Sequence, residues 1–187
     1  MKTQFDIEKV FEIGYLRNEL EYERALIADR KLRVLSKSNS RLKPIRQKLR
    51  DIIEKYEKKN WSPKSKISDE KLLESEIAEL IAEKERLFLQ RRKNLIKEKL
   101  KANGLTQQQL GEILGHKSKT HMSELINGVA PFGINDLVII HRVLKINIKY
   151  LVPTTLSQQQ RKRVKKTLTV LGNEKLKLSS EDFDLAI

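Results

Sequence analysis

The chain has 187 residues, 39% of them hydrophobic and 34% charged, which supplies apolar matter for one domain or two small ones and excludes disorder throughout. There is no cysteine, which removes disulfides, thiolate metal sites and cysteine nucleophiles together. The formal charge of +14, from 39 basic and 25 acidic side chains, points to a polyanionic partner, nucleic acid or an anionic surface.

Seven glycines, four prolines and an abundance of Lys, Glu, Leu and Ile favour helix over sheet, because straight-chain residues lose little rotamer freedom in a helix. The expected fold class is all-α. No apolar run approaches the roughly 20 residues of a membrane span. The opening "MKTQFDIEKVFEIG" also lacks a signal-peptide hydrophobic stretch, so a cytoplasmic protein without membrane contact is expected.

Residues 6 to about 36 are predicted as one long helix, with Ile13, Leu16, Leu20 and Ile27 near one stripe. Leu42, Ile45, Leu49, Ile52, Ile53 and Tyr56 follow at three- and four-residue spacing, which puts them on one side of a second helix. Ser40 is its candidate N-cap, and Pro44 is tolerable because it lies in the first turn. "NWSPKSKIS", Asn60 to Ser68, breaks the pattern. A third helix starts at Ser68 or Asp69 and runs through Leu73, Ile77, Leu80, Leu87 and Phe88, either straight into the next segment or with a hinge near Gln90. Charge alternates along this half. Residues 1–29 hold four basic and seven acidic side chains, 30–66 fourteen and three, 69–88 three and seven, and 89–101 six and one. Segments with different partners, or simply solvated helix faces, both fit that alternation.

From Leu95 the signals become dense. Ile96 and Leu100 lie a turn apart and Gly104 suits a left-handed helix end. Thr106 is a cap for the next helix, whose buried face is Leu110, Ile113 and Leu114, and Gly115 ends it. Ser118 caps a short helix with Met122, Leu125 and Ile126 inward, closed by Asn127-Gly128. "LTQQQLGEILGHKSKTHMSELINGV" together with Leu137, Ile140, Leu144, Ile146, Ile148 and Leu151 resembles the Cro/repressor-type, or XRE, helix-turn-helix family. The resemblance covers residues 91–153, about a third of the chain.

The resemblance implies a helix inserted in a DNA major groove, about 12 Å wide, with the preceding helix crossing the backbone. Gln107, with Gln108 beside it, would meet phosphate at a helix N-terminus. Lys119, Thr120 and Ser123 would face base edges, His121 and Lys117 would flank them, and Ser118 and Asn127 would tend to the backbone. Two departures stand out. The turn "GHKS" is one residue longer than the family's common form, at His116 or Lys117, which bears on the tilt of the helix that follows. Glu124 is an anion on a helix meant for DNA; it either pairs with a neighbouring Lys or accepts from cytosine N4.

His116 and His121 are five apart and no His pair has helical ligand spacing, so His121 is expected to face DNA, His141 to make a core hydrogen bond, and no metal or cofactor is expected. No nucleophile elbow, phosphate-cradling Gly loop or HExxH occurs, so the chain is not expected to be an enzyme. In the tail, Ser157 and Gln160 read as a capping box ahead of Val164, Leu168 and Leu171. "RKRVKK", Arg161 to Lys166, lies on the opposite side, either gripping phosphate or solubilising the helix.

A helical N-terminal part before an XRE-type domain resembles, in layout, the HigA-type antitoxins of bacterial toxin-antitoxin pairs. That resemblance implies a small RNase toxin as partner, for which the acidic segments 1–29 and 69–88 are the candidate contacts. The organisation expected is a partner-binding or dimerisation region at 1–67, a connecting helix at 68–90, a five-helix DNA-binding domain at 91–153 and a helical tail at 154–187. The function expected is a dimeric, nucleoid-associated repressor acting on double-stranded operator DNA and serving as an antitoxin. The alternatives are an XRE regulator without a toxin and an RNA-binding module.

Overall fold

A single glycine divides the first expected helix. In the computed structural model, which describes residues 5–62, 67–153 and 158–176, residues 6 to about 36 form two helices, α1 (Ile7–Ile13) and α2 (Glu19–Leu35). Gly14 takes φ +81°, a left-handed conformation free of Cβ strain only for glycine, and its N–H donates to the Val10 carbonyl. Asn18 then caps α2 by accepting from the Glu21 N–H at 3.0 Å. The apolar spacing runs through the break, and the buried Leu16 between the two helices explains why.

The second stripe forms α3 (Leu42–Asn60), with Leu42, Leu49, Ile52 and Ile53 buried against α2 and Pro44 in the first turn. Ser40 is not its cap. Arg41 holds that position without a side-chain bond, and Ser40 contributes only its carbonyl to the Lys43 N–H. Polar links span the α2–α3 contact: Arg46 to Asp29 at 2.8 Å, and stacked Tyr22 and Tyr56 rings whose hydroxyls donate to Glu57 and Glu19.

The third helix, α4 (Asp69–Ala102), is capped by Ser68 and runs 34 residues without a hinge at Gln90, about 51 Å at 1.5 Å per residue. Of the apolar residues along it, Phe88 is buried and Ile77 half-buried. Leu73, Leu80 and Leu87 are exposed, while Ala78 and Ala82 are buried where α4 meets α2, which presents its own buried Ala25 and Ala28. Small side chains let helix axes approach closely and gain dispersion contact along the backbones, so the large residues turn outward. Arg24 on α2 holds Glu85 on α4 across that contact at 2.7 Å.

The far half of α4 contributes Ile96 and Leu100 and enters a second cluster with α5 (Gln107–Leu114), α6 (Lys119–Asn127) and α7 (Ile134–Leu144). The fifth expected helix is a single 3-10 turn, Ile148–Tyr150, closed by the fully buried Leu151. Ile113 and Ile148, expected inside, lie at the surface. Val129, just past α6, packs into the N-terminal cluster and ties the two cores together. α8 (Gln158–Leu171) carries exposed Lys162, Arg163 and Lys166, with Val164 and Leu168 half-buried. The cap expected at Ser157 and the end from Ser179 to Ile187 lie outside the described residues. Among the described residues there is no strand, and no helix is long and apolar enough to cross a membrane.

Candidate nucleic-acid interface

Thr106 and Gln109 set the start of α5 as a reciprocal capping box: the Thr106 hydroxyl accepts from the Gln109 N–H at 3.2 Å, and the Thr106 N–H donates to the Gln109 side chain at 2.8 Å. The backbone N–H groups of Gln107 and Gln108 remain at the open end of the helix, where an anion is favoured. Gln108 is exposed and Gln107 half-buried.

α6 is held by Met122, Leu125 and Ile126, each no more than 2% exposed, so its orientation is fixed by the core. Its close approach to α5 depends on Gly111: a Cβ there would sit 3.1 Å from the His116 carbonyl and 3.4 Å from Met122 Cγ. Ser118 caps α6 by accepting from the His121 N–H at 3.2 Å. Lys117, Ser118, Lys119 and His121 are exposed, Thr120 is half-buried beside them, and together they form one polar edge.

The long turn is anchored. α5 ends at Gly115, the His116 N–H donates to the Gly111 carbonyl at 2.7 Å, and the His116 ring reaches Asp136 Oδ2 at 3.2 Å on the first turn of α7. The same Asp136 oxygen accepts from the Gly133 N–H at 3.0 Å. The turn is therefore held by a side chain tied to a third helix. His121 packs edge-on against His116 with ring centroids 5.3 Å apart, a pairing across the turn that helical spacing did not reveal.

Three of the side chains singled out have local partners. Glu124 is half-buried and its carboxylate lies 3.7 Å from His121 Nδ1, so the side chain it meets is a histidine and not a lysine. Asn127 turns inward, its amide donating to the Ser123 carbonyl at 2.8 Å and hydroxyl at 3.2 Å, so Ser123 and Asn127 are half-buried and engaged with each other. His141 does make its hydrogen bond, Nδ1 to the Ile146 carbonyl at 2.6 Å, but on the surface. Among the described residues no group of three or more His, Asp or Glu is placed to hold a metal ion.

Part of the basic segment 89–101 is structural. Arg92 is 2% exposed, its guanidinium over the Phe132 ring at 5.2 Å and donating to the Leu151 carbonyl at 3.3 Å. Burial pushes it down to about 10, leaving it charged at neutral pH. The reading of residues did not anticipate that α2 brings Arg30 and Lys31 to the C-terminal end of α6, beside Arg86 and Lys93 of α4. The only signal was the onset of the basic run at residue 30; the meeting itself depends on the α2–α4 packing.

Residues 96–151, under a third of the chain, match a protein-family model described as Helix-turn-helix. No curated protein matches the chain, and no solved structure does. Residues 96–151 are thus a helix-turn-helix domain in the C-terminal half of a chain whose described regular elements are all helices, and such a domain supports DNA-binding transcription regulation of XRE type.

Proposed function

We propose that the protein is a sequence-specific repressor that binds its operator as a dimer and places α6 in the major groove. The observation that carries this is the polar edge Lys117–His121, exposed except for the half-buried Thr120, at the start of a helix whose opposite side is locked by Met122, Leu125 and Ile126. A helix lying in a groove about 12 Å wide meets base edges with its first turn. Lys119 donates to guanine O6 or N7, Thr120 offers its hydroxyl or its methyl to a neighbouring base, and Ser118 and Lys117 meet the backbone. Gln107 and Gln108 meet a phosphate at the start of α5. Ser123 and Asn127 contribute through groups still open, and Glu124, held near His121, selects against a phosphate or accepts from cytosine. Two half-sites about 34 Å apart would supply the affinity one domain lacks. The working location is the nucleoid.

The same proposal includes the antitoxin role. It is supported by one surface: α4 exposes Leu72, Leu73 and Leu80 among Glu70, Glu74, Glu76 and Glu79, an acidic face with apolar anchors suited to a small basic partner. The test is binding of the purified chain to duplexes from its own upstream region and to random duplex. Lys119→Ala should weaken operator binding by about 1 to 3 kcal/mol at one position and leave random duplex nearly unchanged. Equal loss on both makes Lys119 a phosphate contact, and preference for single-stranded RNA refutes the repressor. Purification from the native source with no small basic protein attached refutes the antitoxin part alone.

A further inference from the structure

An open cleft of about 420 Å³ lies between α2, the middle of α4 and the C-terminal end of α6. Arg30, Lys31, Arg86 and Lys93 line it, with Gln90 and Asn127. The one carboxylate in its wall, Glu83, is used up by two 2.7 Å bonds to Arg86. Lys31 and Lys93, both half-buried, therefore face a half-enclosed space without a counter-charge of their own, while the exposed Arg30 at its border has Glu23 and Glu83 nearby. Neither Lys31 nor Lys93 forms an ion pair among the described residues. Burial, then Arg92, Arg86 and Lys93, push Lys31 down to about 8, and no carboxylate offsets them. Burial and Lys97 push Lys93 down as well.

A structural role accounts for part of this. The Lys31 ammonium lies 3.6 Å from where a Cβ on Gly128 would be, at the negative end of the α6 dipole. A helix C-terminus offers about half a charge, enough for one lysine and not for two. Half-buried cations gathered without a partner carry a desolvation cost that a bound anion would relieve.

We propose that this cleft binds a phosphate group. The chemistry fits two sources: a backbone phosphate of the DNA whose groove α6 reads, or the phosphate of a small molecule that would then sit between the N-terminal helices and the reading helix. Only the first source rests on the function proposed above.

The experiment uses the full chain, Lys31→Met and Lys93→Gln alone and together, with sodium pyrophosphate and a 30-base-pair duplex as probes. Thermal melting is compared in pyrophosphate and in sodium chloride of equal ionic strength. Duplex affinity is measured across a salt series. Pyrophosphate raising the melting temperature of the parent protein but not of the double variant supports a small phosphorylated ligand. A salt slope reduced by about 1 in the double variant, without a pyrophosphate effect, supports a DNA phosphate. Equal pyrophosphate effects in parent and variant, or none in either, together with an unchanged slope, overturn the proposal. If the parent protein binds no duplex, the repressor reading fails and the pyrophosphate comparison alone decides the cleft. Should Lys31→Met fail to fold, Lys93→Gln carries both measurements.

Discussion

His116→Ala isolates the contact that fixes the long turn between α5 and α6. The imidazole lies 3.2 Å from Asp136 Oδ2, with the two side chains 25% and 13% exposed, and its edge meets the His121 ring at 5.3 Å. A hydrogen bond partly shielded from water contributes about 0.5 to 1.5 kcal/mol, and the ring contact about 0.5 more. The expected loss is therefore about 1 to 2 kcal/mol, a fall in Tm of roughly 2 to 8 °C for a chain of this size. Asp136→Ala should cost more, because it also strips the Gly133 N–H of its acceptor and so uncaps α7. A double-mutant cycle by urea denaturation should show a coupling of about 0.5 to 1.5 kcal/mol between the two. With the anchor gone, α6 keeps its buried face but loses its aim, so operator affinity should fall at least fivefold while the helical circular dichroism is kept. A coupling within about 0.3 kcal/mol of zero, with operator affinity unchanged, would refute the claim that Asp136 sets the turn.

Leu80→Ala, at a 65% exposed position, should change stability by less than about 0.5 kcal/mol, whereas Ala82→Leu, at 1% exposure against α2, should cost about 1 to 3 kcal/mol; the opposite order in urea titrations would restore the leucine stripe as the buried face. Leu125→Ala, at 2% exposure in the core under α6, should cost about 2 to 5 kcal/mol by calorimetry and abolish operator binding at temperatures where the parent protein still binds. Stability should also rise with pH from about 8 towards 10. Lys31 in the folded chain loses its proton near 8, while in the unfolded chain it keeps it to about 10.5, so the unfolded state binds more protons in that window and the gain is at most about 3 kcal/mol. Above pH 10 the sign reverses: burial, then the carboxylates of Glu57 and Glu19, hold Tyr22 and Tyr56 protonated in the folded state while the unfolded state ionises. Lys31→Met should flatten the rise and leave the fall, as read by denaturant melts in a pH series.

Much of the reading domain was legible because its determinants are local. Thr106 with Gln109, Ser118, Gly115 and Gly128 define helix ends through bonds within a few residues, and Met122, Leu125 and Ile126 share a face at helical spacing whatever surrounds them. Periodicity served less well where partner helices set the outcome. On α4 the large side chains Leu73, Leu80 and Leu87 stay exposed while Ala78, Ala82 and Phe88 are buried, because which face is covered depends on how closely another helix can approach. Near the N-terminus the apolar spacing ran across Gly14, and the backbone freedom of one residue outweighed it.

By itself, then, the sequence determined an all-helical chain with a DNA-reading segment, since propensity, caps and the spacing of apolar residues act over one or two turns. Tertiary structure decided the rest: that His116 of the long turn is tied to Asp136 twenty residues on, that Glu124 sits by His121, that Asn127 folds onto Ser123, and that cations from α2 and α4 converge beneath α6. Each of these joins groups whose distance is set by how rigid helices pack, and that distance is not written in the spacing of residues along the chain.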